Sequence, residues 1–157
     1  MLSAIPTIIV DTREKDPWKF TNRRAVILPS KLDWGDYSIR GMQSAVAVER
    51  KSVEDLFLTM TRGLERFKRE LERSLDGNGR RFFAVIVEGS MERVSFGSRF
   101  SFAEPTRVMD IFYQTCTRYG VAPYMCDGRA EAESLAWRLL MGFWAGRPKP
   151  IRIGGGA

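Results

Sequence analysis

The chain has 157 residues, of which 44% are hydrophobic and 28% are charged, so it can build one ordinary hydrophobic core. It contains no histidine and its two cysteines are not spaced as CxxC, which excludes Ser/His and Cys/His nucleophiles and zinc sites made of cysteine and histidine. The net charge of +6 favours an anionic partner such as nucleic acid, although a compositional preference for arginine would give the same excess. Any hydrolysis must therefore depend on carboxylates, lysine and a hard metal ion.

The first third of the chain is rich in predicted strands. The apolar, β-branched run at 7–10 stops at the polar residues 11–14, as a buried strand does at the edge of a sheet. Residues 25–28 predict a second strand. The segments 36–40 and 45–50 flank a glycine and are typical of a β-hairpin.

The remainder alternates between helices and strands. Apolar residues recur every three or four positions over 52–75 and predict one amphipathic helix. The later predicted elements are a strand at 82–87, an irregular loop at 89–103, a helix at 106–119, a strand at 121–126 and a helix at 131–144. This alternation predicts an α/β fold with a central mixed β-sheet flanked by α-helices.

The same patterns predict the domain limits and the location in the cell. We expect a single domain over residues 7–145, between an N-terminal tail, 1–6, and a flexible C-terminal tail, 146–157. No apolar run approaches eighteen residues, and the first residues lack the features of a secretion signal. We therefore expect a cytoplasmic or nucleoid-associated protein that is neither secreted nor bound to a membrane.

The most informative residues lie on the predicted hairpin. Side chains alternate along a strand, so Glu49 and Lys51 point to one face while Arg50 points to the other. Phosphodiester hydrolysis needs activated water and neutralisation of charge on the phosphate, which carboxylate-bound Mg²⁺ or Mn²⁺ can supply. We expect Asp36 and Glu49 to be metal ligands and Lys51 to orient the attacking water.

Two further acids follow the first predicted strand. If that strand lies beside the hairpin, Asp11 and Glu14 lie at the same sheet edge as Asp36 and Glu49. So many desolvated carboxylates would repel one another by several kcal/mol, on the order given by Coulomb's law at low dielectric. A divalent cation is the natural counter-charge, and Asp11 joins the expected metal ligands.

The pattern resembles a known family. Gly35-Asp36, followed by residues 49–51 (Glu-Arg-Lys) and Asp55, resembles the GD…ERKxxxD signature of the XPF/Hef structure-specific endonuclease domain, a branch of the restriction-endonuclease-like PD-(D/E)XK superfamily. Residues 9–14 resemble the family's first strand motif. The resemblance spans residues 7–144 and implies a Mg²⁺- or Mn²⁺-dependent endonuclease that acts on branched or flapped DNA in recombination or repair.

By motif match the resemblance implies metal binding by Asp36 and Glu49 and catalytic support by Lys51. It adds four residues to the predicted catalytic site: Asp11, Glu14, Arg50 and Asp55. Structural alternatives exist for several of them. Asp55 completes a capping box that begins at Ser52, Arg50 could brace the sheet, and Glu14 could pair with Arg13.

The predicted DNA-binding residues are all arginines: Arg13, Arg62, Arg66, Arg69 and Arg99. For the arginines of the long helix the alternative is a solvated face, because Glu65, Glu70 and Glu72 are interleaved with them. The aromatic residues that surround Arg99, namely Phe96, Phe100 and Phe102, could stack on splayed bases or fill the core.

Two departures from the family bear on partners and substrate. The family usually has a glycine-arginine pair and a downstream glutamine in its long helix, whereas here Arg62-Gly63 is reversed and no glutamine follows nearby. These 157 residues are too few to hold the helix-hairpin-helix modules common in the family as well, so we expect that a partner protein could supply substrate recognition. The family pairs its nuclease domains, which implies a homodimer through the last helix, whose leucines and aromatics could equally fill the protein's own core.

A second class of function is a catalytically idle DNA-binding or dimerisation module within a nuclease complex. Degenerate partners of that kind lose acids from the motif. This chain keeps Asp36, Glu49 and Asp55 together with Lys51, which favours the enzyme.

Overall fold

The computed structural model describes residues 4–147 and contains one six-stranded sheet and five α-helices within that range. The strands are β1 (Thr7–Val10), β2 (Val26–Pro29), β3 (Tyr37–Ile39), β4 (Val46–Ser52), β5 (Phe82–Glu88) and β6 (Ala122–Cys126). The helices are α1 (Val53–Thr61), α2 (Leu64–Leu75), α3 (Met91–Ser95), α4 (Pro105–Arg118) and α5 (Arg129–Ala145), and a short 3₁₀ turn, Asp76–Asn78, follows α2.

The sheet is mixed, with strand order β2-β1-β3-β4-β5-β6. Strand β3 runs antiparallel to both of its neighbours, β1 and β4, whereas the β1–β2, β4–β5 and β5–β6 pairs are parallel. The carboxyl ends of β1, β4 and β5 therefore meet the amino end of β3 at one edge of the sheet. This confirms the predicted mixed sheet, and the first strand lies beside the hairpin.

Each face of the sheet has its own hydrophobic core. Helices α1 to α4 cover one face, where Phe57, Leu71 and Phe112 are fully buried. Helix α5 covers the other face together with Trp18 and Phe20, which precede β2. The central strands are buried on both sides because both faces are covered, as parallel strands usually are.

Helix α5 packs on the sheet through one buried face. Ala132, Ala136 and Leu140 are fully buried there. The dimer surface predicted on this helix consists of Leu135, Leu139, Leu140, Phe143 and Trp144. Apart from the buried Leu140, these residues are half-buried and pack against the same core. Much of this surface therefore serves the protein's own core, and the homodimer stays a prediction.

The prediction of one helix over 52–75 was wrong. The helix is interrupted at Arg62-Gly63, where the N–H groups of both residues donate to the Leu58 carbonyl, at 2.9 and 3.0 Å. Glycine is a poor helix former and its missing side chain allows close approach, since a Cβ there would lie 3.3 Å from Thr59 Cα. The apolar period continues across the break, so the pattern did not reveal it.

The region 89–103 is more ordered than its predicted irregular loop. Ser90 caps α3 by accepting a hydrogen bond from the Arg93 N–H, at 3.1 Å. A helix of five residues is too short to show a period in the sequence.

Within residues 4–147 no helix is long and apolar enough to cross a membrane. Most of the predicted C-terminal tail, and the first three residues of the N-terminal tail, lie outside the described residues.

Candidate active site

A pocket of about 320 Å³ opens at the sheet edge where β1, β3 and β4 meet. From the sheet side it is lined by Asp11, Asp36, Glu49 and Lys51, which sequence reasoning had assigned to one site. From the opposite side α2 contributes a basic and acidic wall, made of Arg66, Glu70 and Arg73. The fold thus brings together residues that are separated by up to 62 positions in the chain.

Glu49 and Lys51 form a buried ion pair. The Lys51 Nζ donates to Glu49 Oε1 at 3.1 Å, and the two residues are only 7% and 9% exposed, respectively. The ammonium also lies over the ring of Phe67, 5.1 Å from its centroid. Burial alone would lower the pKa of Lys51, but the charge and hydrogen bond of Glu49 outweigh it and raise that pKa. Glu49 and Lys51 are therefore not an exposed ion pair at a strand end, which would be of little consequence for stability or function.

Asp36 is held against this pair by a glycine turn. Gly35 has φ +74°, and a Cβ there would lie 2.6 Å from Ala47 Cβ, so only glycine fits without a shift. Asp36 Oδ2 accepts the Arg50 backbone N–H at 2.8 Å. Burial, and then repulsion from Glu49, raise the pKa of Asp36 well above its usual range.

A cation could bind only through carboxylate oxygens of Asp36 and Glu49 that are not engaged in hydrogen bonds. Within residues 4–147, Asp36 Oδ1 and Glu49 Oε2 accept no hydrogen bond, whereas the second oxygen of each is engaged. The same part of the chain contains no group of three acidic, cysteine or histidine side chains able to hold a metal ion. The donor set suits a hard cation that keeps several waters, which Mg²⁺ does in proteins.

Asp11 lines the pocket, but both of its oxygens are occupied. Arg13 binds it through its backbone N–H and its guanidinium, at 2.8 to 2.9 Å, and the Leu32 N–H donates to Oδ2 at 2.7 Å. Burial alone would raise the pKa of Asp11, but these hydrogen bonds hold it below its usual value. Arg13 therefore pairs with Asp11 and not with Glu14. A cation bound by Asp11, as predicted, would compete with these hydrogen bonds for the same carboxylate oxygens.

Arg50 and Glu14 lie outside the residues that line the pocket. The Arg50 guanidinium donates to both oxygens of Glu88, at 2.7 and 2.9 Å, and approaches Glu14 at 3.4 Å. Glu88 also accepts from Trp18 Nε1 at 2.6 Å, which ties β4 and β5 to the segment before β2. This geometry favours the bracing role for Arg50, whose backbone N–H still reaches Asp36.

Asp55 belongs to the start of α1. Its backbone N–H donates to the Ser52 hydroxyl at 3.1 Å, and that hydroxyl contacts its carboxylate at 2.8 Å, so the predicted helix cap is confirmed. Asp55 borders a second groove that continues from the pocket past Arg62 and Arg66. A catalytic role for Asp55 stays a prediction.

The remaining predicted DNA-binding residues differ in position. Arg66 lines both the pocket and the adjoining groove, and Arg62 lines the groove. Arg69 is exposed on α2 and lines neither of them. Arg99 is exposed in the turn between α3 and α4.

Sequence reasoning missed Glu70, which it had placed on a solvated helix face. The Glu70 carboxylate accepts the Gly35 N–H at 2.9 Å. Burial and the nearby charge of Glu49 raise the pKa of Glu70 to about 6. The signal was present, because Glu70 falls on the stripe formed by Phe67, Leu71 and Ser74, which are buried.

This mixed sheet, with a lysine and acids at one edge, defines a restriction-endonuclease-like α/β domain. The ERCC4 domain family matches residues 10–135, and the chain belongs to that family. The family resemblance predicted from the motifs is thereby confirmed.

Among solved structures, XPF from Aeropyrum pernix matches with a TM-score of 0.69 and 19% identity, over 90% of this chain and 66% of that chain. XPF from Aeropyrum pernix in complex with DNA matches with a TM-score of 0.66 and 19% identity, over 94% of this chain and 69% of that one. The chain thus spans about two thirds of the length of these structures, and at this identity the likeness shows the fold. A comparison with curated proteins found no match.

Proposed function

We propose that this domain is a Mg²⁺- or Mn²⁺-dependent endonuclease that hydrolyses phosphodiester bonds in branched or flapped DNA during repair or recombination. The observation that carries the proposal is the convergence of Asp36, Glu49 and Lys51 in one pocket. Membership of the ERCC4 family supports a DNA nuclease of the repair type.

Asp36 and Glu49 would hold the cation through the two oxygens that accept no hydrogen bond within residues 4–147. A bound Mg²⁺ or Mn²⁺ would supply charge neutralisation at the phosphate and lower the pKa of a bound water. The repulsion that raises the pKa of Asp36 would be relieved by such a charge.

The Lys51 ammonium has hydrogen-bond donors that Glu49 does not use. An ammonium has three N–H groups, and Glu49 takes one of them. The others can orient the attacking water or contact a phosphate oxygen. Because Lys51 is buried, its charge is less screened by solvent than that of a surface lysine.

Arginines at the pocket rim would position the DNA backbone. Arg66 and Arg73 line the pocket from α2, and Arg13 lines it from the opposite side with a side chain that is 63% exposed. Guanidinium groups bind phosphates in a bidentate manner, and these contacts fix register without reading sequence. The structure of the Aeropyrum pernix XPF complex with DNA supports DNA as the substrate class.

A cleavage panel tests the proposal. Labelled duplex, fork and 3′- and 5′-flap DNAs are incubated with Mg²⁺ and the wild-type chain, Glu49→Gln, or the control Glu65→Gln, which changes an exposed acid on α2. We expect wild type and the control to cut a branched DNA and Glu49→Gln to be inactive. Equal activity of all three proteins would contradict the assignment, and binding without cutting by wild type would identify a catalytically idle module.

A further inference from the structure

Three phenylalanines stand out from the surface in the turn between α3 and α4. Phe96 is 78% exposed, Phe100 is 65% exposed and Phe102 is fully exposed. This excludes the core alternative for them. Single exposed apolar side chains are common, but three aromatic rings within seven residues form a patch of the kind that marks an interaction site.

The turn that carries these rings is built by hydrogen bonds. Ser98 and Ser101 form a β-bridge, and the Phe100 N–H donates to Ser98 Oγ at 3.1 Å. The Arg93 guanidinium donates to the Gly97 carbonyl at 2.9 Å and to Glu54 at 3.0 Å. The Ser98 hydroxyl also donates to Glu54. The rings are therefore displayed on a structured turn anchored to α1.

Exposed charges of both signs lie near the patch, including the acids Glu92 and Glu104, and the charged residue nearest to the rings in sequence is Arg99. Arg99 lies at the tip of the turn and is exposed, and within residues 4–147 its guanidinium makes no ion pair or hydrogen bond. Arg107, in the first turn of α4, is also exposed. Aromatic rings with an adjacent guanidinium suit nucleic-acid bases, whose faces stack on both while the phosphates meet the positive charge.

The turn that carries the patch follows β5, whose carboxyl end lies at the same edge of the sheet as the candidate active site. Glu54, which anchors the turn, is three residues after Lys51, so their Cα atoms are at most about 11 Å apart. Helices α1, α3 and α4 cover the same face of the sheet. Paired bases of a duplex offer no free faces to these rings, whereas an unpaired strand next to a junction does.

We propose that Phe96, Phe100 and Phe102, together with Arg99, form a stacking platform for the unpaired bases of single-stranded DNA. The inference rests on the proposed DNA-acting function and names the feature of the substrate that this surface recognises. Such a platform would favour DNA with an unpaired strand over a duplex, because paired bases offer the rings no free faces.

The test measures binding without cutting. In the Glu49→Gln background and in EDTA, fluorescence anisotropy gives the affinity for a single strand and for a duplex of equal length at the same salt. Phe96→Ala, Phe100→Ala and Phe102→Ala are compared with Leu75→Ala, a control that truncates an exposed side chain in the last turn of α2. Thermal unfolding by circular dichroism verifies that each variant is folded.

We expect Phe102→Ala to weaken single-strand binding by about fivefold to a hundredfold, the range for loss of one base–aromatic stack, with duplex binding and Leu75→Ala unchanged. Phe102→Trp should keep the affinity and Phe102→Leu should lose it, because leucine has no ring face. Unchanged single-strand affinity in all three alanine variants, or equal losses for single strand and duplex, would overturn the platform.

Sedimentation of the same variants tests whether a second copy of the protein, and not a DNA strand, binds the patch. If the alanine variants turn a dimer into a monomer and bind the single strand as wild type does, the patch is a protein interface and the platform is wrong. The two proposals fail in different ways. Metal-dependent cutting without a single-strand defect in the variants removes only the platform, and single-strand binding through the rings without cutting by wild type removes only the nuclease.

Discussion

A contribution to folding stability does not explain why Glu49 and Lys51 form a buried ion pair. An exposed pair contributes about 0–1 kcal/mol, and a buried pair repays its desolvation only with good geometry, so apolar residues often do as well. Here the pair is buried beside Asp36, whose pKa is raised by burial and by the charge of Glu49. Buried charges and raised carboxyl pKa values in one pocket are typical of a functional site.

The two acids should be required for cleavage and not for folding. Asp36→Asn keeps a side-chain oxygen for the Arg50 N–H, and Glu49→Gln keeps one for Lys51, while each removes ligand charge. We expect each variant to lose cleavage by about two orders of magnitude or more, since metal binding depends on that charge. Plasmid nicking and circular dichroism measure the two effects. If both variants unfold, the acids are structural.

Glu70 should act as a positioning residue through its acceptor atoms. It accepts the Gly35 N–H, and the loss of a buried acceptor leaves that donor without a partner at a cost of about 1–3 kcal/mol. We expect Glu70→Gln to keep the turn at Gly35 and most of the cleavage, and Glu70→Ala to lose stability in urea unfolding and to cut more slowly. Equal inactivity of both variants in folded form would instead require the charge of Glu70.

At the residue scale, local spacing predicted what lies close in sequence. Alternation along a strand placed Glu49 and Lys51 together because both belong to β4. The hydrogen bonds that occupy both carboxylate oxygens of Asp11 could not all be predicted. One of the donors is the Leu32 N–H, which is 21 positions away and in no regular element. Such contacts depend on the tertiary path of a loop.

At the scale of elements, the β3–β4 hairpin sets the geometry of the site. It holds Asp36 before β3 and Glu49 on β4, and Gly35 makes the close turn against Ala47 possible. The hairpin and the strand alternation were readable from residues 36–50. The break between α1 and α2 was not, because the apolar period persists through it, although the break directs Arg66 and Glu70 toward the pocket.

Gly35→Ala tests this turn against a matched glycine. Both Gly35 and Gly41 have positive φ, but a Cβ at Gly41 would meet nothing within 4 Å, whereas at Gly35 it would meet Ala47. We expect Gly41→Ala to cost about 1–2 kcal/mol from backbone strain alone. Gly35→Ala should cost about 1–3 kcal/mol more, because overpacking is added. Urea unfolding gives both values, and equal costs would mean that the contact with Ala47 is unimportant.

At the scale of the whole molecule, the mixed sheet flanked by helices was predicted from the alternation of strands and helices. The expectation of a single hydrophobic core was wrong, because helices cover both faces of the sheet and each face has its own core. The position of each strand in the sheet depends on the order in which the strands pair, and a single sequence does not contain that order. That order places β1 and β4 on either side of β3 and so brings the pocket residues to one edge. The exposure of Phe96, Phe100 and Phe102 could not be predicted either, since aromatic residues are more often buried.

The basic surface should make DNA binding strongly dependent on salt. With about six phosphate contacts, affinity for a duplex should fall about a thousandfold between 50 and 200 mM salt by counterion release. Anisotropy titrations with Glu49→Gln across this range measure the slope, and Arg66→Gln should reduce it by about one contact. A slope near zero would mean that the net charge of +6 has no part in binding.

Metal removal and return test the central claim most directly. The protein is dialysed against EDTA, transferred to chelated buffer, and assayed on the branched DNA that it cuts best, before and after addition of Mg²⁺ or Mn²⁺. We predict no cleavage by the chelated wild-type chain and full recovery with either ion. Asp36→Asn and Glu49→Gln should show no recovery, because the carboxylates of Asp36 and Glu49 would hold the cation. Undiminished cleavage by the chelated wild-type protein would contradict the account.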